Sequence, residues 1–177
     1  DMELNDVHYK VLMVESEQWA YDRFYNVVAN PILWFIQHYL WDLSNAPDIR
    51  ESERRAWDEG YQVVNRDIAD CVIEQIKGRE QPLVMLHDYH LYTAPAMIRE
   101  ARPDALLHHF VHIPWSQPDS WRVLPTRIRE ELLNGLLGND IIGFHTSTYC
   151  HNFLSCCRRL MGYEVDYDEV SVTHPGG

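Results

Sequence analysis

Three short, mainly apolar runs each end in polar, reactive residues, and no other feature restricts the fold as strongly. Leu83-Val84-Met85-Leu86 leads into His87-Asp88-Tyr89-His90. Residues 105–111 lead into His112-Ile113-Pro114-Trp115, and Asp140-Ile141-Ile142-Gly143-Phe144 leads into His145-Thr146. Short apolar runs of this kind read as buried parallel strands. Between and after them the apolar spacing turns helical, over about residues 93–102, 126–137 and 146–161. This strand–helix alternation predicts an α/β fold, a parallel sheet with helices on both faces. Ligands of such sheets bind beyond the carboxyl ends of the strands, which is where the His and Asp residues gather.

The first half of the chain is less regular. Residues 8–14 end in an apolar run and read as a first strand. Residues 17–43 are helical in pattern and very aromatic, and the stretch from Trp19 to Trp41 reads as mostly core. A break is expected at Asn30-Pro31, because the residue before proline disfavours the α region. Residues 44–47 read as a loop. Residues 51–77 form a long amphipathic helix with Trp57, Tyr61, Val64, Ile68, Cys71, Val72 and Ile76 on one face, and Gly78 is placed to cap it. Residues 170–173 read as a last strand and 174–177 as a turn.

A length of 177 residues suits one domain. The net charge of −12 argues against a broad nucleic-acid surface, which needs a basic stripe. A few donors can still hold a small anion in an acidic protein. The four cysteines (Cys71, Cys150, Cys156 and Cys157) have no CxxC spacing, so reduced thiols and a cytoplasmic protein are expected. No run approaches the ~20 apolar residues of a membrane span, and no signal peptide opens the chain.

Asp88 reads either as a carboxylate that binds sugar hydroxyls or acts as a base, or as a cap for the helix that follows. His112 reads either as a donor to a ligand or as a core histidine bonded to backbone. His108 and His109, inside their strand, read as structural or surface residues, and His145 as a helix cap or a cleft residue. Tyr25 and Trp34 fit either the core or a position presenting a polar tip to a ligand. The histidine spacing is poor for a metal site. No nucleophile elbow and no glycine-rich nucleotide loop is present.

Taken in order, Tyr25-xxxx-Asn30-xxx-Trp34 with His38-Tyr39, Trp57-xxx-Tyr61-xx-Val64-Asn65, His87-Asp88-Tyr89-His90-Leu91, His112-Ile113-Pro114 with Pro118 and Leu124-Pro125, and Asp140–Thr146 resemble the trehalose-6-phosphate synthase family. The resemblance implies a GT-B type enzyme, two Rossmann-like domains facing a cleft, with residues 1–177 as a partial N-terminal, acceptor-side domain and the C-terminal nucleotide-sugar domain absent. It implies retaining transfer of glucose from a nucleotide sugar, UDP-glucose or GDP-glucose, to glucose 6-phosphate. Tyr25 and Trp34 then contact the acceptor phosphate, Asp88 the acceptor hydroxyls, and His112 the transferred sugar, with Asp88 and His112 as the catalytic pair. No cofactor and no metal is implied, since the nucleotide sugar is a substrate. The implied partners are a nucleotide sugar and a sugar phosphate, with neither nucleic acid nor membrane, and a homo-oligomer is left open. The family's N-terminal phosphate-binding Arg and glycine-rich loop have no match before Asp1, and the loop reads His-Ile-Pro-Trp where many members have Phe. Lacking half of the implied cleft, the isolated chain is expected to be inactive. Related transferases with other acceptors, such as glucosylglycerol-phosphate synthase or a cyclitol-coupling pseudo-glycosyltransferase, share these motifs. A non-catalytic sugar-phosphate-binding module is the other alternative.

Overall fold

The computed structural model describes residues 2–4, 7–40 and 49–173. The expected loop at 44–47 and turn at 174–177 lie outside the described residues. Strands β1 (Met2–Leu4) and β2 (Val7–Tyr9) form an antiparallel hairpin. The strand expected over 8–14 therefore ends at Tyr9, and residues 10–17 have no regular structure. Val11 and Met13 are exposed. With no partner strand beside it among the described residues, the apolar run gains no ladder.

Helix α1 runs without a break through Gln18–Arg23, Phe24–Trp34 and Phe35–Gln37, and the break expected at Asn30-Pro31 does not occur. Phe24–Trp34 is wound as a π-helix. In an α-helix the proline ring clashes with the carbonyl four residues back. The wider i→i+5 turn moves that carbonyl aside, so Pro31 stays inside the helix. The aromatic stretch is not mostly core. Phe24 is buried with Val28, Ile32, Leu33 and Ile36, whereas Trp19, Tyr21, Tyr25, Trp34 and Tyr39 are exposed.

Helix α2 is also continuous, through Glu51–Ala56, Trp57–Tyr61 and Gln62–Gln75. It matches the expected long amphipathic helix, with Trp57, Tyr61, Val64 and Ile76 buried. Gly78 follows it in the left-handed region at φ 73°. The two helices cross closely at Gly60, where a Cβ would stand 2.5 Å from Arg23 Cβ and 2.7 Å from the Phe24 nitrogen.

The parallel sheet is as expected, except that among the described residues the helices pack on one of its faces and not on both. Strands β3 (Leu83–His87), β4 (Leu106–Val111) and β5 (Ile141–Phe144) lie in that order, with His87 beside Phe110 and Val111 beside Phe144. They alternate with helices α3 (Ala94–Ala101), a short α4 (Pro118–Trp121), α5 (Thr126–Leu136) and α6 (Ser147–Met161). Strand period two places Val84, Leu86, Leu107, His109 and Val111 on one face, and all five are buried. Ala69 and Ile76 of α2 and Ala94 and Ile98 of α3 pack against Val84, Leu86 and Leu107. A larger cluster joins Val111 to α1, α2, α5 and α6 through Trp57, Trp115 and Trp121. Leu83, Met85, Leu106 and Ile141, on the other face, are exposed.

Strands β6 (Glu164–Asp166) and β7 (Ser171–Thr173) close the described chain. The last strand thus exists where expected, but it pairs antiparallel with β6, outside the parallel sheet. No described helix is long and apolar enough to cross a membrane. All four cysteines are free thiols.

Candidate functional site at the strand ends

The chain leaves β3 through Asp88, whose backbone sits at φ 64°, ψ 175°. Only glycine adopts this region without strain, and another residue there costs about 1–3 kcal/mol. The surrounding residues hold it in place. The Asp88 amide donates to the Phe110 carbonyl at 2.8 Å, and its carbonyl accepts from the Leu91 amide at 3.2 Å and from His109 Nε2 at 3.0 Å. Its carboxylate Oδ1 accepts from the His112 amide at 3.3 Å. The carboxylate does not cap the following turn, so it reaches across to the end of β4 instead.

The next two carbonyls of the loop are also held by side chains. Tyr89 O accepts from the Tyr61 hydroxyl at 2.6 Å, and that hydroxyl accepts from the Tyr92 amide at 3.1 Å. His90 O accepts from Asn65 Nδ2 at 2.9 Å. Asn65 Nδ2 also donates to Tyr61 O, and Asn65 Oδ1 accepts from the amides of Thr93 and Ala94 at the start of α3. The Tyr92 hydroxyl donates to Gln37 Oε1 at 2.8 Å. The motif residues Tyr61 and Asn65, which the sequence placed only on a helix face, thus build the cradle of the Asp88 loop. Burial raises the Tyr61 and Tyr92 hydroxyls well above the usual phenol range, so both stay protonated donors.

Two of the candidate ligand residues, Tyr25 and Trp34, converge on this loop from α1. Trp34 lies beside Tyr89, with ring centres 5.9 Å apart, and stacks on His38 at 3.8 Å. Tyr25 stacks on His90 at 5.9 Å and 13°. His90 in turn lies 4.0 Å from Tyr89, and the Tyr89 hydroxyl donates to Asn30 Oδ1 at 2.8 Å. Asn30, Pro31, Trp34, Phe35 and Tyr89 line an open cavity of about 440 Å³. Burial, and then the charge of Asp88, push the Tyr89 hydroxyl up to about 12. Burial lowers His90, against the opposing pull of Asp88.

His112 is exposed at the end of β4, not a core histidine. Its Nε2 lies 3.0 Å from His87 Nδ1, so one of the two nitrogens carries the shared proton. His145 stands edge-on to Phe110 and beside His112, while Thr146, not His145, caps α6 by accepting from the Tyr149 amide. Trp115 is wholly buried, stacks on Trp121 at 4.5 Å, and donates to Cys156 Sγ at 3.4 Å. It anchors the loop after His112 and does not line the cavity. Asn30 and Tyr89, which line the cavity, lie inside the sequence motifs, but no local pattern sets them apart as lining residues.

A larger cavity, about 670 Å³, lies elsewhere, around Arg99, Asn134 and Asp140 at the amino end of β5. The Arg99 guanidinium is held there by four hydrogen bonds, to the carbonyls of Gly138, Pro103 and Ala105 and to Asp140. That makes it a brace between α3 and the sheet, not a ligand group. Among the described residues no cluster of three or more His, Cys, Asp or Glu side chains is arranged to hold a metal.

A parallel sheet whose carboxyl edge carries an aromatic cleft and one carboxylate on a strained, braced loop defines a class: a Rossmann-like α/β domain. The particular family follows from comparison, since residues 3–176 match the model of glycosyltransferase family 20, and the chain belongs to that family. Over 167 residues it is 33% identical to validamine 7-phosphate valienyltransferase of Streptomyces hygroscopicus subsp. jinggangensis, covering 94% of this chain and 33% of that protein. It is 39% identical over 159 residues to alpha,alpha-trehalose-phosphate synthase [UDP-forming] 6 of Arabidopsis thaliana, covering 88% and 18%. Among solved structures it resembles the trehalose-6-phosphate phosphatase N-terminal domain of Candida albicans, with a TM-score of 0.72 and 30% identity over 94% of this chain and 32% of that one. The UDP-forming alpha,alpha-trehalose-phosphate synthase of Burkholderia vietnamiensis superposes with a TM-score of 0.74 and 27% identity, over 90% and 33%. The chain thus spans a third or less of the length of these curated relatives.

Proposed function

We propose that this chain forms the acceptor-side wall of a retaining glycosyltransferase that, as part of a longer enzyme, transfers a glucosyl group from a nucleotide sugar to glucose 6-phosphate, giving trehalose 6-phosphate. The observation that carries this reading is the convergence of Tyr25, Trp34, Asp88 and His112 on one braced loop. In this reading the Tyr25 hydroxyl and the Trp34 indole N–H donate to the acceptor phosphate. The Asp88 carboxylate accepts from acceptor hydroxyls, and His112 contacts the transferred sugar. The aromatic faces of Trp34 and Tyr89 suit the apolar faces of a sugar ring. The chemical contribution of such a wall is to hold two sugars in reacting alignment, an effect worth up to roughly 7–11 kcal/mol in favourable cases. Retention follows if the departing phosphate oxygen takes the acceptor proton on the same face, a step that needs no metal or cofactor. The free thiols support a reducing compartment, the cytoplasm.

Calorimetry tests this on the chain itself. Glucose 6-phosphate should bind, and Asp88→Asn should weaken it at least ~10-fold, about 1.4 kcal/mol. Equal affinity in the variant refutes the role of Asp88. The identity to the valienyltransferase favours a second reading, a phosphorylated cyclitol acceptor. Tighter binding of validamine 7-phosphate than of glucose 6-phosphate selects it.

A further inference from the structure

We infer that His109 is a positioning residue: from inside β4 it holds the Asp88 peptide in its strained conformation and so sets where the Asp88 carboxylate stands. The inference rests on the reading of Asp88 as an acceptor-binding group. Asp88 is tied by three bonds to β4 and to the residue that follows it. His109 Nε2 reaches its carbonyl, the Phe110 carbonyl takes its amide proton, and the His112 amide reaches its carboxylate. The first is the only one of the three made by a β4 side chain.

A carbonyl oxygen can only accept, so His109 Nε2 carries the ring proton. The neutral ring then has a bare Nδ1, and this atom is buried with no partner among the described residues. Leaving a buried polar atom unsatisfied costs about 1–3 kcal/mol. A phenylalanine would fill the same wholly buried place without that cost. A histidine here is therefore explained by its other nitrogen. Burial also holds the ring neutral, with its pKa pushed down to about 4, so the hydrogen bond keeps one form across the ordinary pH range. Without the Nε2–H, the Asp88 peptide is free to rotate to negative φ, which swings the side chain away from the His112 amide.

The test uses the isotope-labelled chain and the variants His109→Phe, which keeps the ring volume, and His109→Gln, whose side-chain amide can place an N–H near the Nε2 position. Backbone couplings and carbon shifts should report positive φ at Asp88 in the unsubstituted chain. His109→Phe should show negative φ and at least ~10-fold faster exchange of the Asp88 amide. His109→Gln should restore both, and glucose 6-phosphate affinity should follow the same order. Positive φ and unchanged exchange in His109→Phe overturn the inference. If that variant fails to fold, ring-nitrogen spectra of the unsubstituted chain decide, because a proton on Nδ1 in place of Nε2 also overturns it. Absence of glucose 6-phosphate binding in the unsubstituted chain counts against the acceptor reading alone, since the backbone measurements need no ligand.

Discussion

Asn65→Ala is the most informative single change outside the cleft. The Asn65 side chain is wholly buried and makes four hydrogen bonds, donating to Tyr61 O and His90 O and accepting from the amides of Thr93 and Ala94. Tyr61 O lies within α2 and is placed to keep its helical partner. The other three groups lose a side-chain partner in a region closed by Tyr61 and Tyr92. At about 1 kcal/mol for each lost bond, and more where a group stays dry, the loss is about 3–5 kcal/mol. A domain of this size has only about 5–15 kcal/mol of stability. Urea unfolding followed by tryptophan fluorescence and circular dichroism should therefore show a midpoint shifted sharply downward at an unchanged slope. The damage should centre on the loop, so amide exchange at 89–94 should rise before that of β3 and β4. Asn65→Asp sharpens the reasoning, since it keeps the oxygen that accepts from both amides at the start of α3 but sets a second carboxylate oxygen against two carbonyls. Its loss should shrink as the pH falls and the acid regains a proton to donate. A destabilisation below about 1 kcal/mol in Asn65→Ala would refute the claim that this side chain organises the loop.

Trp34→Ala should leave stability within about 1 kcal/mol, because the indole is 36% exposed, yet weaken glucose 6-phosphate binding at least ~10-fold by calorimetry. Gly60→Ala should cost about 1–3 kcal/mol in chemical denaturation, since its methyl meets Arg23 Cβ and the Phe24 backbone where α1 and α2 cross. Acid should destabilise the fold through His109, whose folded pKa of about 4 lies below its unfolded value. Its stabilising contribution is complete above the unfolded pKa and is lost as the pH falls towards the folded one, and from an unfolded value of ~6.5 this is about 2 kcal/mol between pH 7 and pH 5. Denaturation of His109→Phe at both pH values should show that much less acid sensitivity.

The alternation from residue 83 to 161 was legible because each strand is a short apolar run and each helix has a clear apolar face. The expected strands and helices there match β3 to α6 within a residue or two. The first strand was not legible, since an apolar run at 10–14 does not reveal whether a partner strand lies beside it. Pro31 misled for a related reason: the rule about proline describes α-helical winding, and here the helix is wound wider. Asp88 and His112 stood out by their place after apolar strands, whereas Tyr25 and Trp34 needed the family resemblance. The left-handed backbone of Asp88 left no trace in the sequence, because the usual marker, a glycine, is not there. His109 reads from sequence as structural or surface and is buried, but which carbonyl it meets depends on the register of β3 against β4, and no local pattern carries that.

The exposed face of the parallel sheet has a consequence for how this chain behaves in bulk. Leu83, Met85, Leu106 and Ile141 give it a sticky plane, and contiguous apolar surface of this kind drives association. What opposes coalescence is the net charge of −12, a long-range repulsion between copies. Colloidal behaviour is therefore set by a balance of two unlike ranges, contact adhesion against screened repulsion. Added salt or a pH near charge balance weakens only the second, so the solubility of this chain is a property of its solvent as much as of its fold.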